Sequence, residues 1–333
     1  MPAPAPFHPD VTAALAAIET SFPARVFFVA CGGSLSIMYP AKFLLDQHSA
    51  LPSDLFNAAE FTTRAPKGVG KDSLVILCSM TGTTKETVAA AEFARSRQAR
   101  TVGLTVEPNS PLSKACDHTI GFEAPYTTGV PIDAKNSNYA RIYQLVMGVV
   151  ALTGGEDLSG PLMASLSSLQ PAIDKAQEKF APLFAEYAPR FAKEDVVYTV
   201  ASGANFGAAY SFAICVLMEM LWIGSQAIHA NEFFHGPFEV LDKDRCFILL
   251  KGRDSTRSLE DRADTFLHRF GTAGNILVLD AETLDLSGID PAFRGNLVPL
   301  IFFDTLWRFA YRLADLRQHT MLEDRRYMKK ITY

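Results

Sequence analysis

The pattern of apolar and polar positions alternates between short apolar runs and longer segments with helical periodicity. The apolar runs break at glycine, serine or aspartate; they are RVFFVACGG, SLVILCS and ARTVGLTV in the first half and VVYTVASG, CFILLKG and NILVLD in the second. Most are followed by segments whose apolar residues recur at spacings of three and four, which is one face of a helix. Strands that alternate with helices predict an α/β fold, with a mostly parallel, doubly wound sheet between two helical layers.

Element boundaries follow from the ends of these runs. Helices are predicted over residues 11–20, 37–47, 138–152, 164–191, 258–270 and 301–316. A second strand is predicted near residues 58–63, where β-branched and aromatic residues cluster. These elements repeat the order strand, loop, helix along the chain.

The two halves of the chain resemble each other. At an offset of 171 residues, VACGGS beginning at Val29 aligns with VASGAN beginning at Val200, and Tyr39 aligns with Tyr210. At 333 residues the chain also exceeds the size that one core usually supports. We therefore predict two copies of one domain, residues 1–155 and 156–333, joined near the polar segment GGEDLSG.

One carboxylate interrupts the longest apolar segment. Between Phe212 and Ile223 the only charged side chain is Glu219, and a segment that is apolar on all faces predicts a buried helix. A buried carboxylate is costly unless it is neutral or partnered, so stability alone does not explain this residue. His235, in a His-Gly-Pro turn, follows sixteen residues later. Glu219 is either a catalytic acid/base or a structural acid paired with an arginine or a tyrosine.

Two loops of the first half combine glycine with hydroxyl side chains. They are Cys31-Gly32-Gly33-Ser34 and Ser79-Met80-Thr81-Gly82-Thr83-Thr84. Both follow predicted strands and precede helices, at the edge where α/β sheets bind ligands, and hydroxyls with backbone amides suit a phosphate. Either loop alone is also an ordinary turn composition. Neither contains a nucleotide-binding fingerprint, which disfavours dinucleotides and nucleoside triphosphates.

Composition narrows the class of protein. Hydrophobic residues make up 48% of the chain and charged residues 20%, as in globular proteins, and the net charge of −5 without a basic run argues against nucleic acid as a partner. The five cysteines are widely spaced, so we expect reduced thiols and no metal site. No apolar run reaches the roughly 20 residues of a membrane span, and MPAPAPFHPD lacks the features of a signal peptide. We therefore expect a cytoplasmic protein with no membrane partner.

Together these motifs resemble the sugar isomerase (SIS) domain family. The resemblance is carried by Ser-x-Thr-Gly-Thr-Thr-x-Glu-Thr from Ser79, the Cys-Gly-Gly-Ser loop, the duplicated domain and the spacing of Glu219 and His235. It covers residues 11–333 and implies two tandem SIS domains. Within the family the chain is similar to the isomerase half of glucosamine-6-phosphate synthase and, through the tail motif Arg326-Tyr327-Met328-x-Lys330, to the fructosamine-6-phosphate deglycases.

The resemblance implies a role for each motif position. The residues implied to bind the sugar phosphate are Gly33, Ser34, Ser79, Thr81, Gly82 and Thr84. The residues implied to line the rest of the pocket are Cys31, Gly32 and Lys135. Glu219 would be the proton-transfer base, His235 an acid/base, and Lys330, rather than Lys329, the tail lysine that reaches the open-chain sugar.

The implied activity is cleavage of an amino-acid Amadori adduct, a fructosamine 6-phosphate, to glucose 6-phosphate and free amino acid. The resemblance implies no cofactor and at least a homodimer. Val216 and Met218 stand where the synthase carries basic residues, and no glutaminase domain precedes the pair, so aminosugar synthesis is not expected. The alternatives are an aldose-ketose phosphosugar isomerase, which would use the same Glu219 and His235, and a non-catalytic phosphosugar-binding regulator. About 25 residues before the first strand leave no room for the DNA-binding domain of such a regulator.

Overall fold

The computed structural model of the protein describes residues 6–124, 132–323, 325–327, 330 and 331. The chain divides into two compact units, Met1–Gln170 with Gly288–Phe293, and Pro171–Ser287 with Arg294–Tyr333. The predicted boundary between residues 155 and 156 refers to the two sequence repeats. A compact unit of the structure need not end where a sequence repeat ends, so this boundary stays a prediction.

The first unit contains a parallel sheet. Its strands are β1 (Arg25–Ala30), β2 (Ser53–Asn57), β3 (Ser73–Cys78), β4 (Arg100–Thr105) and β5 (His118–Gly121). They lie in the order β2-β1-β3-β4-β5, and all neighbouring pairs are parallel. Every residue of the central strand β3 is buried, as the continuous apolar run predicts. Because Ala30 pairs with Cys78, the loops that follow β1 and β3 leave the sheet side by side.

Helices cover both faces of this sheet. They are α1 (Pro9–Glu19), α2 (Gly32–Ser36), α3 (Met38–His48), α4 (Ala58–Arg64), α5 (Lys85–Ser96), α6 (Pro111–Ala115), α7 (Asn138–Leu152) and α8 (Ser159–Ser167). Helix α7 packs against α1 and α3, whereas α5 packs against α4 and α6. Phe27 and Val29 of β1 share a buried cluster with Phe61 of α4 and Ala90 of α5. The three-layer α/β prediction is confirmed.

The strand predicted near residues 58–63 is wrong, since these residues form helix α4 and β2 ends before them. The side chain of Asn57 accepts a hydrogen bond from the amide of Ala59, which caps the helix, and Glu60 lies in its first turn. The capping signal therefore outweighs the strand propensity of Phe61 and the threonines that follow it.

The second unit repeats the topology of the first four strands. Its strands are β6 (Val196–Ala201), β7 (Gly224–His229), β8 (Cys246–Lys251) and β9 (Ile276–Asp280), in the parallel order β7-β6-β8-β9. Its helices are α9 (Leu169–Phe191, most of which lies in this unit), α10 (Phe206–Ser211), α11 (Glu219–Leu221), α12 (Arg257–Phe270) and α13 (Arg294–Arg317). The bounds of β6 are those of β1 displaced by 171 residues, which confirms the predicted repeat. Strand β7 was not predicted from the sequence.

One helical segment of the second unit is apolar enough to match a membrane span. It runs from Gly203 to Leu221, and its 19 residues meet that criterion by length and composition alone. Two thirds of it is buried in the protein, where it packs against β6, β7 and α13. A core helix meets the same criterion, and this one serves as part of the core.

Two carboxylates, the buried Glu260 and the partly buried Asp254, lie at the carboxyl edge of the second sheet. Glu260, which is fully buried in α12, accepts hydrogen bonds from the amide and hydroxyl of Ser202, at 3.0 and 2.9 Å, and from the amide of Gly252. Asp254 accepts from the amide of Ala204 at 3.1 Å. Burial raises the pKa of Glu260 to about 7, despite these hydrogen bonds.

Stability should therefore fall as Glu260 ionises. Its folded-state pKa lies above the unfolded value, so its contribution is fully present below about pH 4.5 and is lost as pH rises through about 7. The loss amounts to about 3 kcal/mol at 1.36 kcal/mol per pKa unit. Urea unfolding of Glu260→Gln between pH 5 and 8 should give a flatter pH dependence than the wild type. The exposed Glu178→Gln is the control; parallel curves for wild type and Glu260→Gln would contradict this assignment.

Candidate functional site

The two hydroxyl loops of the first unit lie at one edge of its sheet. The first leads into α2 and the second into α5, and they follow the adjacent strands β1 and β3. Gly32 and Gly82 have φ angles of +53° and +66°, a region that favours glycine. A Cβ at Gly82 would also lie 2.1 Å from the hydroxyl oxygen of Ser110. The glycines therefore permit the tight path of both loops.

Hydrogen bonds link the hydroxyl groups of these loops. Ser79, which is buried, shares a hydrogen bond of 2.9 Å with Thr84, and Thr81 shares one of 2.7 Å with Thr83. Ser34 lies beside the thiol of Cys78, whose pKa burial raises to about 12. The structure thus brings Ser34, Ser79 and Thr84 to one edge, with partly exposed hydroxyls at its surface.

The amides of Gly33 and Gly82 and the side chain of Lys135 differ in exposure and in hydrogen bonding. The amide of Gly82 donates to the carbonyl of Ser79 at 3.0 Å, so it is already engaged within the loop, whereas Gly33 is exposed. Lys135 forms an ion pair of 2.8 Å with Asp133, and its side chain is 52% exposed. The roles of Gly33, Gly82 and Lys135 in binding stay predictions, as do those of Cys31 and Gly32.

Glu219 lies where the apolar helix of the second unit changes its winding. Phe212–Met218 is a π-helix, and α11 ends at Trp222, whose φ of +54° is left-handed. The prediction of a helix buried on all sides is wrong, because Met218 and Trp222 are 47% and 46% exposed. The wider π turn alters which side chains share a face, and such segments are frequent at functional sites.

The carboxylate of Glu219 is held between burial and a positive charge. Its side chain is 19% exposed, and its Oε1 lies 3.0 Å from Nη1 of Arg325. Burial raises the pKa of Glu219 above its ordinary value, and Arg325 opposes that rise. The net result is a carboxyl group whose pKa is closer to neutrality than that of an exposed glutamate.

An open pocket of about 460 Å³ adjoins this carboxylate. Its lining residues are Ile214, Met218, Glu219, Trp222, Arg326 and Tyr327. The Arg326 guanidinium lies 4.5 Å from the ring centroid of Trp222. The ring centroid of His319 lies 4.7 Å from the same Trp222 centroid. Glu219 therefore faces an aromatic and apolar surface that the C-terminal tail helps to form.

The tail contains the residue that sequence reasoning missed. A buried acid needs a partner, but no sequence pattern identifies Arg325, which stands one residue before the tail motif that begins at Arg326. Lys330 lies exposed in a turn, where its amide donates to the carbonyl of Arg326 at 2.9 Å. Lys329 lies outside the described residues, so the choice between the two lysines stays a prediction.

His235 and its neighbours follow β7. The imidazole is exposed, and the backbone amide of His235 donates to the carbonyl of Glu232. Nδ1 of His229 accepts a hydrogen bond of 3.2 Å from the amide of Asn231, so His229 caps its own turn. In the part of the chain that the structure describes, no hydrogen bond joins Glu219 to His235, and no group of three His, Cys, Asp or Glu residues is arranged to hold a metal ion.

Comparison with known proteins finds a domain family, sequence relatives and a solved structure that resemble this chain. The SIS domain profile matches residues 23–151. The chain is 45% identical to fructosamine deglycase FrlB of Bacillus subtilis over 93% of this chain and 92% of that protein. It is 26% identical to fructoselysine 6-phosphate deglycase of Escherichia coli over 93% and 87% of the two chains. A Bacillus subtilis crystal structure described as a phosphosugar isomerase superposes with a TM-score of 0.93, at 42% identity over 98% of each chain.

Removing Arg325 should change the ionisation of Glu219. In Arg325→Met the pKa of Glu219 should rise further above its ordinary value, because the positive charge that favours the carboxylate is lost. The titration is followed by carbon-13 NMR of labelled glutamate carboxyls, with Glu219→Gln to assign the signal.

Arg326→Met is the matched control, since Arg326 lies on the same tail but over Trp222. It should leave the titration of Glu219 close to that of the wild type. Equal titration curves for Arg325→Met and the wild type would contradict the ion pair.

Proposed function

Because this chain belongs to the sugar isomerase (SIS) domain family, we propose that it is a fructosamine-6-phosphate deglycase, an enzyme that converts an amino-acid Amadori adduct to glucose 6-phosphate and free amino acid. The proposal is supported by the 45% identity to a fructosamine deglycase along nearly the whole chain. The structural observation that carries it is the mostly buried Glu219 carboxylate beside an open pocket.

The first unit binds the phosphate group of the substrate. The hydroxyls of Ser34, Ser79, Thr81 and Thr84 receive the phosphate at the carboxyl edge of the sheet, and the start of α5 favours the negative charge there. A fixed phosphate turns proton transfer at the other end of the open-chain sugar into an effectively intramolecular step. Turnover therefore depends on both the phosphate and the proton-transfer residues.

The second unit supplies the proton chemistry. Glu219 removes a proton from C1 of the 1-amino-1-deoxyketose, which gives an enaminol. Protonation at C2 then gives the C1 imine, and addition of water to C1 releases glucose 6-phosphate and the amino acid. A base works best with a pKa near ambient pH, which is the direction in which burial moves Glu219. His235 acts as the second acid/base and Lys330 contacts the open-chain hydroxyls.

The proposal extends to the setting of the enzyme. We assign it a small-molecule sugar phosphate as substrate, with no nucleic acid or membrane partner, in the cytoplasm and as a homodimer or higher homo-oligomer. A second candidate is an aldose-ketose phosphosugar isomerase, which the similarity to a structure described as a phosphosugar isomerase favours. The two activities share the proton transfer between C1 and C2 and differ in the hydrolysis of the imine.

An assay of glucose 6-phosphate release tests the proposal. Fructose adducts of lysine, asparagine and glutamine, each 6-phosphorylated, should release glucose 6-phosphate and amino acid in equal amounts, because each imine hydrolyses to one of each. The two products are measured by coupled dehydrogenase assay and by amino-acid chromatography. Interconversion of plain sugar phosphates, without turnover of any adduct, would favour the isomerase instead.

Replacing the proposed base should separate chemistry from binding. Glu219→Gln should lower kcat by at least about 100-fold, because the amide accepts no proton, while the affinity for glucose 6-phosphate stays within about twofold. Glu186→Gln, an exposed site in the same unit, should keep wild-type kcat. Full activity of Glu219→Gln would contradict the mechanism.

A further inference from the structure

A basic pocket lies at the opposite edge of the first sheet from the hydroxyl loops. Arg25 begins β1, and Lys67 and Lys71 lie in the loop before β3. The pocket has a volume of about 390 Å³, and its other lining residues are Ala24, Pro52, Gly68, Gly70, Asp72 and Ser73. All of these residues belong to the first unit. They are clustered where the strands begin, whereas the hydroxyl loops follow the strand ends.

Arg25 has no anionic partner among the described residues. Among the residues that the structure describes, none forms a hydrogen bond or ion pair with its guanidinium, and its Nε is buried without a partner. The group lies 5.5 Å from the ring centroid of Phe27, which stabilises the charge only weakly. A buried donor without an acceptor costs free energy, and a bound anion would remove that cost.

The loop between α4 and β3 is shaped to leave room for this guanidinium. A Cβ at Gly68 would lie 2.0 Å from Nη1 of Arg25, so any other residue would displace the charged group. The hydroxyl of Ser73 donates to the carbonyl of Gly68 at 2.8 Å and accepts from the amide of Gly70 at 3.2 Å. These bonds fix the loop before any ligand arrives, so binding does not have to order it.

The charge and size of the pocket indicate the class of ligand. Three cations and one carboxylate, Asp72, leave a local charge of +2, which matches a phosphate monoester dianion. A guanidinium presents paired donors that suit phosphate oxygens, and lysines add mobile point charges. The pocket volume falls in the range of small-molecule sites.

The second unit shows that the fold does not require these cations. When β1 and β6 are aligned at their first residues, Val196 stands at the position of Arg25. When β3 and β8 are aligned at their first residues, Asp244 stands at the position of Lys71 and Val240 at the position of Lys67. The three matching positions of the second unit therefore carry no cation, although Lys243 and Arg245 lie nearby in the loop before β8. The topology alone does not place cations at the positions of Arg25, Lys67 and Lys71.

From these observations we propose that Arg25, Lys67 and Lys71 form a second anion site, which binds the phosphate group of a small molecule. The strands between the two edges are six residues long, or about 20 Å, so this site is separate from the hydroxyl loops. Its occupant therefore binds alongside the substrate rather than in competition with it.

Calorimetric titration with inorganic phosphate and with glucose 6-phosphate tests the site at constant ionic strength. Lys67→Gln/Lys71→Gln should weaken one of the two binding events at least tenfold and leave the other unchanged. Both lysines are exposed, so the variant should fold. The control, Lys114→Gln/Lys193→Gln, makes the same change of charge at exposed positions elsewhere and should bind like the wild type.

Gly68→Ala provides a test that leaves all charges in place. The added methyl group should displace the Arg25 guanidinium and weaken the same binding event, with an unchanged circular dichroism spectrum. Loss of this event for both ligands identifies phosphate itself as the recognised group, and loss for glucose 6-phosphate alone identifies the sugar phosphate; either supports the site. Identical isotherms for the lysine variant and its control would overturn it. Because no turnover is measured, this result is independent of the proposed deglycase activity.

Discussion

A parallel sheet covered by helices on both faces offers only the ends of its strands for chemistry, and this constraint governs both units of the chain. The strand interiors, such as β3 and β8, are buried along their whole length. Polar groups that bind or react must therefore lie outside the strand interiors, in the loops that enter or leave the sheet or, like Glu219, on a covering helix. In the first unit the loops that follow β1 and β3 carry hydroxyls, and the loop that precedes β3 carries lysines. The parallel direction of the strands keeps these two sets apart.

The two units use the same carboxyl edge in opposite ways. In the first, the loops after β1 and β3 present glycines and hydroxyls, and the hydroxyls bond to one another. In the second, Glu260 and Asp254 satisfy the equivalent backbone amides from within the protein. Counted from the starts of β3 and β8, Glu260 stands at the position of Thr87. In the second unit the carboxylates of Glu260 and Asp254 thus occupy the amides that an external anion would otherwise contact.

Much of the fold was predictable from the sequence because its signals are local. The apolar runs, the glycines that end them and the repeat at 171 residues are each contained in short windows. The failures came where local signals conflicted or where partners are distant. Strand propensity competed with the Asn57 cap at α4, and the π-helix before Glu219 has no sequence signature that a periodicity of 3.6 would reveal. Arg325 lies 106 residues from Glu219, so no pattern of spacing connects them.

The Glu219 carboxyl has to satisfy two opposing demands. In the proposed role of general base, Glu219 has to be ionised near neutral pH, which burial in an apolar helix opposes, and its proton affinity has to be high enough to take a proton from carbon. Burial alone would favour the protonated acid, and a fully exposed carboxylate would be too weak a base. An arginine at 3.0 Å offsets part of the cost of burial without abolishing it. Because that arginine comes from the C-terminal tail, the tail contributes to the electrostatics of the Glu219 carboxylate as well as to the pocket wall.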